Sequence, residues 1–240
     1  MFTAAALVPS PPVLVPELNG ADATATAELR DAALAVVTRL ADSASVWTVL
    51  GTGATEQTIS SDAVGSFAGF GVDVPVSLSP DPASTPDLEL PLAALVAGWL
   101  RGRVAPHAVV DVRIFARDSS PMACADAGAR LRRDLDADPQ PHGLLVIADG
   151  ANTLTPKAPG SFDPRSPEFQ NELDEALAAG DCAAIAQLDP VVCEEFGAFG
   201  RAAWQVLASV FDSVDDKPDA TTLYSSAPFG VGYHVGLWMP

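Results

Sequence analysis

A carboxylate, an amide and a hydroxyl stand close together at Asp149, Asn152 and Thr153, just after the apolar run LLVIA at 144–148. Short apolar runs of this kind form buried strands, and α/β proteins place their chemistry just past the carboxyl ends of such strands. A carboxylate buried in a cleft can act as a general base, and a neighbouring amide can stabilise an oxyanion. The cluster contains no histidine, the side chain that most often carries proton transfer or metal binding near neutral pH.

The chain has three histidines elsewhere. His107 and His142 each follow a proline shortly before a predicted strand, which puts them at the end of the sheet opposite a site. His234 lies inside the last predicted strand, beside Tyr233. It is either packed on a sheet face or lines a pocket, where it could serve as an acid. No two histidines have the spacing of a zinc protease or a structural zinc site. Ser10 stands between prolines after the first strand, without the Gly-x-Ser-x-Gly elbow of an activated nucleophile. Gly51-Thr52-Gly53-Ala54 follows a strand. It lacks the third glycine of a dinucleotide fingerprint and the Lys-Ser/Thr of a phosphate loop, and it reads as a tight turn. Glu194 and Glu195 fall in the first turn of a predicted helix, where the helix dipole favours acids.

These residues need a scaffold, and the chain supplies one. It has 240 residues, 48% of them hydrophobic, enough for one large core. With 13 Lys and Arg against 31 Asp and Glu, the net charge is −18. Such a surface repels phosphate backbones and anionic lipid, which argues against nucleic-acid and membrane-surface partners. Cys124, Cys182 and Cys193 are odd in number and far from metal-type spacing, as expected of reduced thiols in a cytoplasmic protein. Residues 1–18 are apolar but carry no basic residue and are interrupted by prolines, unlike a signal peptide or membrane span.

Hydrophobic periodicity predicts strands at 2–8, 45–50, 72–79, 108–116, 143–148, 221–224 and 231–238. It predicts helices at 22–41, 87–100, 121–136, 167–179 and 190–211, with a weaker helix or loop at 55–67. Ser120-Pro121, Ser166-Pro167 and Asp189-Pro190 each place a capping side chain before a proline suited to the first helical position. Gly180 suits the end of the 167–179 helix. This alternation predicts a single three-layer α/β/α domain over 1–240 with a central mixed sheet.

Several segments taken together resemble a known family. VPSPPVLVPEL (8–18) resembles the first-strand signature of the class III extradiol ring-cleavage dioxygenase superfamily, whose fold Memo-like proteins share. LTPKAPGSFDPRSPEF (154–169), DPVVCEEFGAFGRAAWQVL (189–207) and YSSAPFGVGYHVGLW (224–238) resemble later stretches in family order, PFGVGY being the most specific. Active members hold iron(II) with two histidines and a carboxylate, and a further histidine moves protons during catechol cleavage. The resemblance puts Ser10 at the first ligand position, where the family reads Pro-His-Pro-Pro. Thr52-Gly53 stands where the family has Pro-His. Asp149-Gly150-Ala151-Asn152 stands for Asp-Leu-Ser-His, so Asn152 occupies the position of the acid/base histidine. Glu194 and Glu195 are candidates for the metal carboxylate.

Serine is a poor iron(II) ligand, glycine offers no side chain, and asparagine cannot shuttle a proton near neutral pH. The resemblance therefore implies a divergent member with no cofactor, without bound iron and without ring cleavage. It would keep a polar cleft lined by Ser10, Thr52, Gly53, Asp149, Asn152, Glu194, Tyr233 and His234 for a small molecule or a protein partner. Two alternatives stand beside it. One is metal-independent acid/base chemistry by Asp149, Asn152 and His234. The other is a structural homo-oligomer, which exposed apolar residues Leu90, Leu95 and Trp99 would support.

Overall fold

Strand and helix alternate through residues 1–19, 26–212 and 217–240, the part of the chain that the computed structural model describes. The strands are β1 (Phe2–Val8), β2 (Val46–Gly53), β3 (Gln57–Ile59), β4 (Val64–Ser66), β5 (Pro75–Ser77), β6 (Val109–Ala116), β7 (His142–Ile147), β8 (Asp219–Ser226) and β9 (Tyr233–Met239). The helices are α1 (Ala27–Ser43), α2 (Leu92–Val104), α3 (Pro121–Ala137), α4 (Ser166–Ala179), α5 (Cys182–Ala186), α6 (Pro190–Glu195) and α7 (Arg201–Phe211).

Seven strands form one mixed sheet in the order β3-β6-β2-β7-β1-β9-β8, and β4 and β5 form a separate ribbon. β6, β2, β7 and β1 run parallel, and β9 runs antiparallel to β1. The strand period of two then divides the side chains between two layers. Ala4, Ala6, Val8, Leu145, Ile147, Tyr233 and Val235 pack with α1 and α2. Leu7, Leu144, Val146 and Trp238 pack with α3, α4, α5 and α7. The result is the expected three-layer α/β/α architecture.

Local chemistry explains most boundaries. The Ser120 hydroxyl accepts the Ala123 N–H at 3.2 Å and caps α3. Asp189 caps α6 by accepting from Val191 and Val192 at 2.7 and 3.2 Å. Gly180, at φ 61°, ends α4 in the left-handed conformation that glycine adopts without a Cβ penalty. Ser166 does not cap α4: its hydroxyl instead donates to the carbonyls of Thr153 and Asp163 at 2.9 and 2.8 Å, tying the helix start to the loop after β7.

Other expectations need correction. The segment 55–67 contains β3 and β4 rather than a helix. The strand expected at 72–79 shrinks to β5, and the helix expected from 87 begins after Pro91. Gly51–Gly53 is not a turn but the end of β2, in register with Ile114–Ala116. A Cβ on Gly51 would come within 2.5 Å of the Ala93 Cβ, so glycine there lets α2 lie close on the strand. The helix expected at 190–211 is two helices, α6 and α7, separated by a turn in which Gly197 has φ 66°. The helix expected at 22–41 begins at Ala27, and residues 22–25 lie outside the described residues.

Leu90, Leu95 and Trp99 are 7%, 2% and 4% exposed, so they belong to the core and present no apolar face for a partner copy. Among the described residues, no helix is long and apolar enough to cross a membrane.

Candidate functional site

The carboxyl ends of the four parallel strands open onto a cavity of about 410 Å³. β1 delivers Ser10 through its Pro9-Ser10-Pro11-Pro12 exit, β2 delivers Thr52, and β7 delivers Asp149. Arg117 follows directly after β6, and Tyr233 opens β9. The first turn of α2 and the α6–α7 turn, with Phe199 and Gly200, complete the walls. This is the end of a parallel sheet where α/β folds bind ligands.

Asp149 and Ser10 form the polar centre. The Ser10 N–H donates to Asp149 Oδ1 at 2.7 Å, and the Ser10 hydroxyl donates to Oδ2 at 2.5 Å. Burial raises the carboxyl from 3.8 to about 6 by penalising the charged form; the two Ser10 hydrogen bonds oppose that shift but do not cancel it. Near neutrality this group can hold or release a proton. Burial also pushes the Tyr233 hydroxyl well above its ordinary range, with the Asp149 charge adding to the shift, so it remains a proton-bearing donor.

Asn152 is wedged rather than loosely placed. A Cβ on Gly197 would lie 2.0 Å from Asn152 Oδ1, and one on Gly160 would lie 2.3 Å from the same atom. The Asn152 N–H donates to the Phe196 carbonyl at 3.0 Å, and its own carbonyl accepts from Gly160 at 2.9 Å. A second glycine pair brackets Gln170: Cβ atoms on Gly150 and Gly232 would lie 2.3 and 2.2 Å from its amide group. Gln170 Oε1 accepts the Ala151 N–H at 2.8 Å, and its Nε2 donates to Asp174 at 3.0 Å. The loop carrying Asp149 and Asn152 is therefore fixed from two sides.

The cavity brings together Ser10, Thr52, Asp149, Asn152 and Tyr233, five of the eight residues expected in one cleft. The other three fall elsewhere. Gly53 turns toward Ile114, where a Cβ would lie 2.8 Å from Cγ2. Glu194 lines a neighbouring hollow with Asp118, Glu195, Pro190 and Val191, which shares Arg117 with the cavity, and Glu195 pairs with Arg165 at 3.0 Å. His234 lies on the other face of β9 from Tyr233, because neighbouring strand residues point to opposite sides. It is 5% exposed, neither ring nitrogen has a hydrogen-bond partner among the described residues, and Nδ1 is 3.8 Å from Asp174. Burial lowers His234 to about 4, so the imidazole is neutral at physiological pH. His142 sits at the start of β7, bonded to the Thr48 hydroxyl at 2.9 Å, and His107 precedes β6 on an exposed turn.

Two important groups had escaped notice in the sequence. Arg117 lines the cavity, with its guanidinium over the Phe199 ring at 4.7 Å. Its position just after the apolar run of β6 was an available signal. Arg201, 2% exposed, donates to the carbonyls of Arg117 and Ser119, both at 2.7 Å, and to Gln205 at 2.6 Å. It ties the β6 exit to the start of α7. Its burial had no sequence signal, since arginine is rarely fully buried.

Among the described residues, no group of three or more His, Cys, Asp and Glu side chains stands close enough to hold a metal ion. The cavity offers one carboxylate, hydroxyls and an amide.

No family model and no curated protein matches the chain. Among solved structures, it is similar to the crystal structure of an uncharacterized protein from Escherichia coli K12. The two are 12% identical with a TM-score of 0.52, and the match covers 99% of this chain and 100% of that one. Similarity at this identity speaks to the fold, and it agrees with the three-layer arrangement.

Proposed function

We propose that the chain is a divergent relative of the class III extradiol dioxygenases that binds a small molecule in this cavity, without bound iron and without ring cleavage. The observation that supports this reading most is convergence. Ser10 and Asn152, two positions where the resemblance expects histidine, line one cavity together with Asp149 and Thr52, whereas Gly53, at the third such position, turns toward Ile114. The volume of about 410 Å³ lies within the range of small-molecule sites and suits a concave ligand pocket better than a protein partner's face.

The donors fit iron(II) poorly. That ion favours two imidazoles and a carboxylate, and the cavity supplies a single carboxylate already bonded twice to Ser10. Glu194 lies outside it, and His234 is on the opposite face of β9 from Tyr233. Metal analysis of protein purified from its native host tests the reading. Stoichiometric iron or zinc, or turnover of a catechol, would overturn it.

A second reading has its own support. A carboxyl group near 6 in contact with a serine hydroxyl suits metal-independent proton transfer. Asp149 would take a proton from the bound ligand, and Asn152 would offer its amide to the negative charge that develops. A pH–rate profile with an inflection near 6 that Asp149→Asn abolishes is the expected signature. An unchanged profile in that variant would refute it.

A further inference from the structure

We infer that the cavity holds its ligand by an anionic group, a carboxylate or a phosphate, through Arg117 and the first turns of α2 and α7, with the Tyr233 hydroxyl as a further donor. This rests on reading the cavity as a small-molecule site.

Four independent features point to an anion. First, among the described residues no carboxylate forms an ion pair with Arg117, although the side chain is exposed and also borders the hollow lined by Asp118, Glu194 and Glu195. Its flanking contact is the Phe199 ring, which orients the guanidinium without neutralising it. Second, Arg117 does not serve Asp149: burial and Ser10 set that carboxyl, and no cation contributes. Third, Tyr233 is 4% exposed, lines the cavity, and its hydroxyl has no hydrogen bond among the described residues. The hydroxyl oxygen is not sealed away from the cavity, so it is free to donate to an acceptor bound there.

The fourth feature is the distribution of helix caps. Ser120, Asp181 and Asp189 cap α3, α5 and α6 with side-chain oxygens, and α1 and α4 carry Glu28 and Glu168 in their first turns. Among the described α-helices, only α2 and α7 have neither a side-chain cap nor a first-turn acid. These are the helices whose starts line the cavity, through Leu92 and Ala93 and through Gly200. The positive dipole ends of both helices therefore lie beside the cavity that Arg117 also lines. In a chain of net charge −18, an anion needs such a concentration of donors to enter.

The test uses the full chain and probes matched in shape but not in charge. Butyrate, butyl phosphate and the neutral butyramide are titrated at neutral pH, followed by amide-resolved NMR of the cavity residues. At least one of the two anions should bind about tenfold or more tightly than butyramide, the scale of a charge-assisted hydrogen bond. Comparing the two anions decides between carboxylate and phosphate. Arg117→Gln should erase the preference for the anion, Arg117→Lys should restore part of it, and Tyr233→Phe should weaken anion binding more than butyramide binding, because the bond to a charged acceptor is the stronger. Equal binding of anion and amide, unchanged in Arg117→Gln, would overturn the anion inference and leave the small-molecule reading standing. If no probe perturbs the cavity resonances, both fall.

Discussion

Replacing Asp149 with asparagine should stabilise the protein at neutral pH, by an amount that disappears in acid. The carboxyl rises from 3.8 to about 6 on folding, mainly through burial. Between those values the folded state keeps a proton that the unfolded chain has released. Stability from this group therefore falls as pH rises through the window, by about 1.4 kcal/mol per pH unit. Above about pH 6 the accumulated loss is about 3 kcal/mol. Asparagine has no proton to lose and can keep both contacts with Ser10. Its Oδ1 accepts the Ser10 N–H, and its Nδ2 donates to the Ser10 oxygen in place of the hydroxyl donation to Oδ2. The variant should match wild type near pH 4 and exceed it by up to about 3 kcal/mol above pH 6. Urea unfolding of both proteins across this range gives the difference, in which the other carboxylates cancel. A difference independent of pH, or a variant less stable throughout, would refute the assignment of a proton-holding Asp149.

Ser10→Ala should move the Asp149 titration midpoint, read by carboxyl-carbon NMR, upward from about 6, because the Ser10 hydroxyl bond opposes the effect of burial; a downward move would show that the bond is misassigned. Gly197→Ala should cost about 2 kcal/mol or more in urea unfolding, through the left-handed backbone and the collision with Asn152. Combining it with Asn152→Ala should recover the collision but not the backbone strain, and strict additivity of the two changes would argue against the contact. Arg201→Met strips the donors from the Arg117 and Ser119 carbonyls and should lower stability by about 2–4 kcal/mol; a loss below about 1 kcal/mol would mean that water replaces them.

The parts of this molecule that could be read in advance are those where one local rule governs. The run before Asp149 is apolar, ends in polar residues and lies between helices with proline starts, so β7 and its exit were foreseeable. The pair Tyr233 and His234 shows where that stops. Strand alternation guarantees that only one of them faces the cavity, yet β9 is buried on both faces and no polar stripe marks the choice. The α6–α7 break failed for a different reason. Apolar residues keep helical spacing across it, and the turn is set by Gly197, whose positive φ brings it against Asn152, 45 positions earlier. Arg117 became a site residue through strand order, which places β6 beside β2.

β1 lies between two strands made much later, with Val8 opposite Ile147 and Leu7 opposite Gly236. The hydrogen bonds joining Ser10 to Asp149 span 139 positions. During synthesis, one edge of the first strand therefore stays bare until β7 has emerged, and the other until β9 has. Contacts this distant in sequence slow folding, and an unpaired apolar strand invites association with other chains. The cavity is incomplete until β9 has joined β1 and brought Tyr233 to the wall that Ser10 shares. A ligand that binds there selects molecules in which β9 has joined β1, and its presence reports that the sheet is assembled.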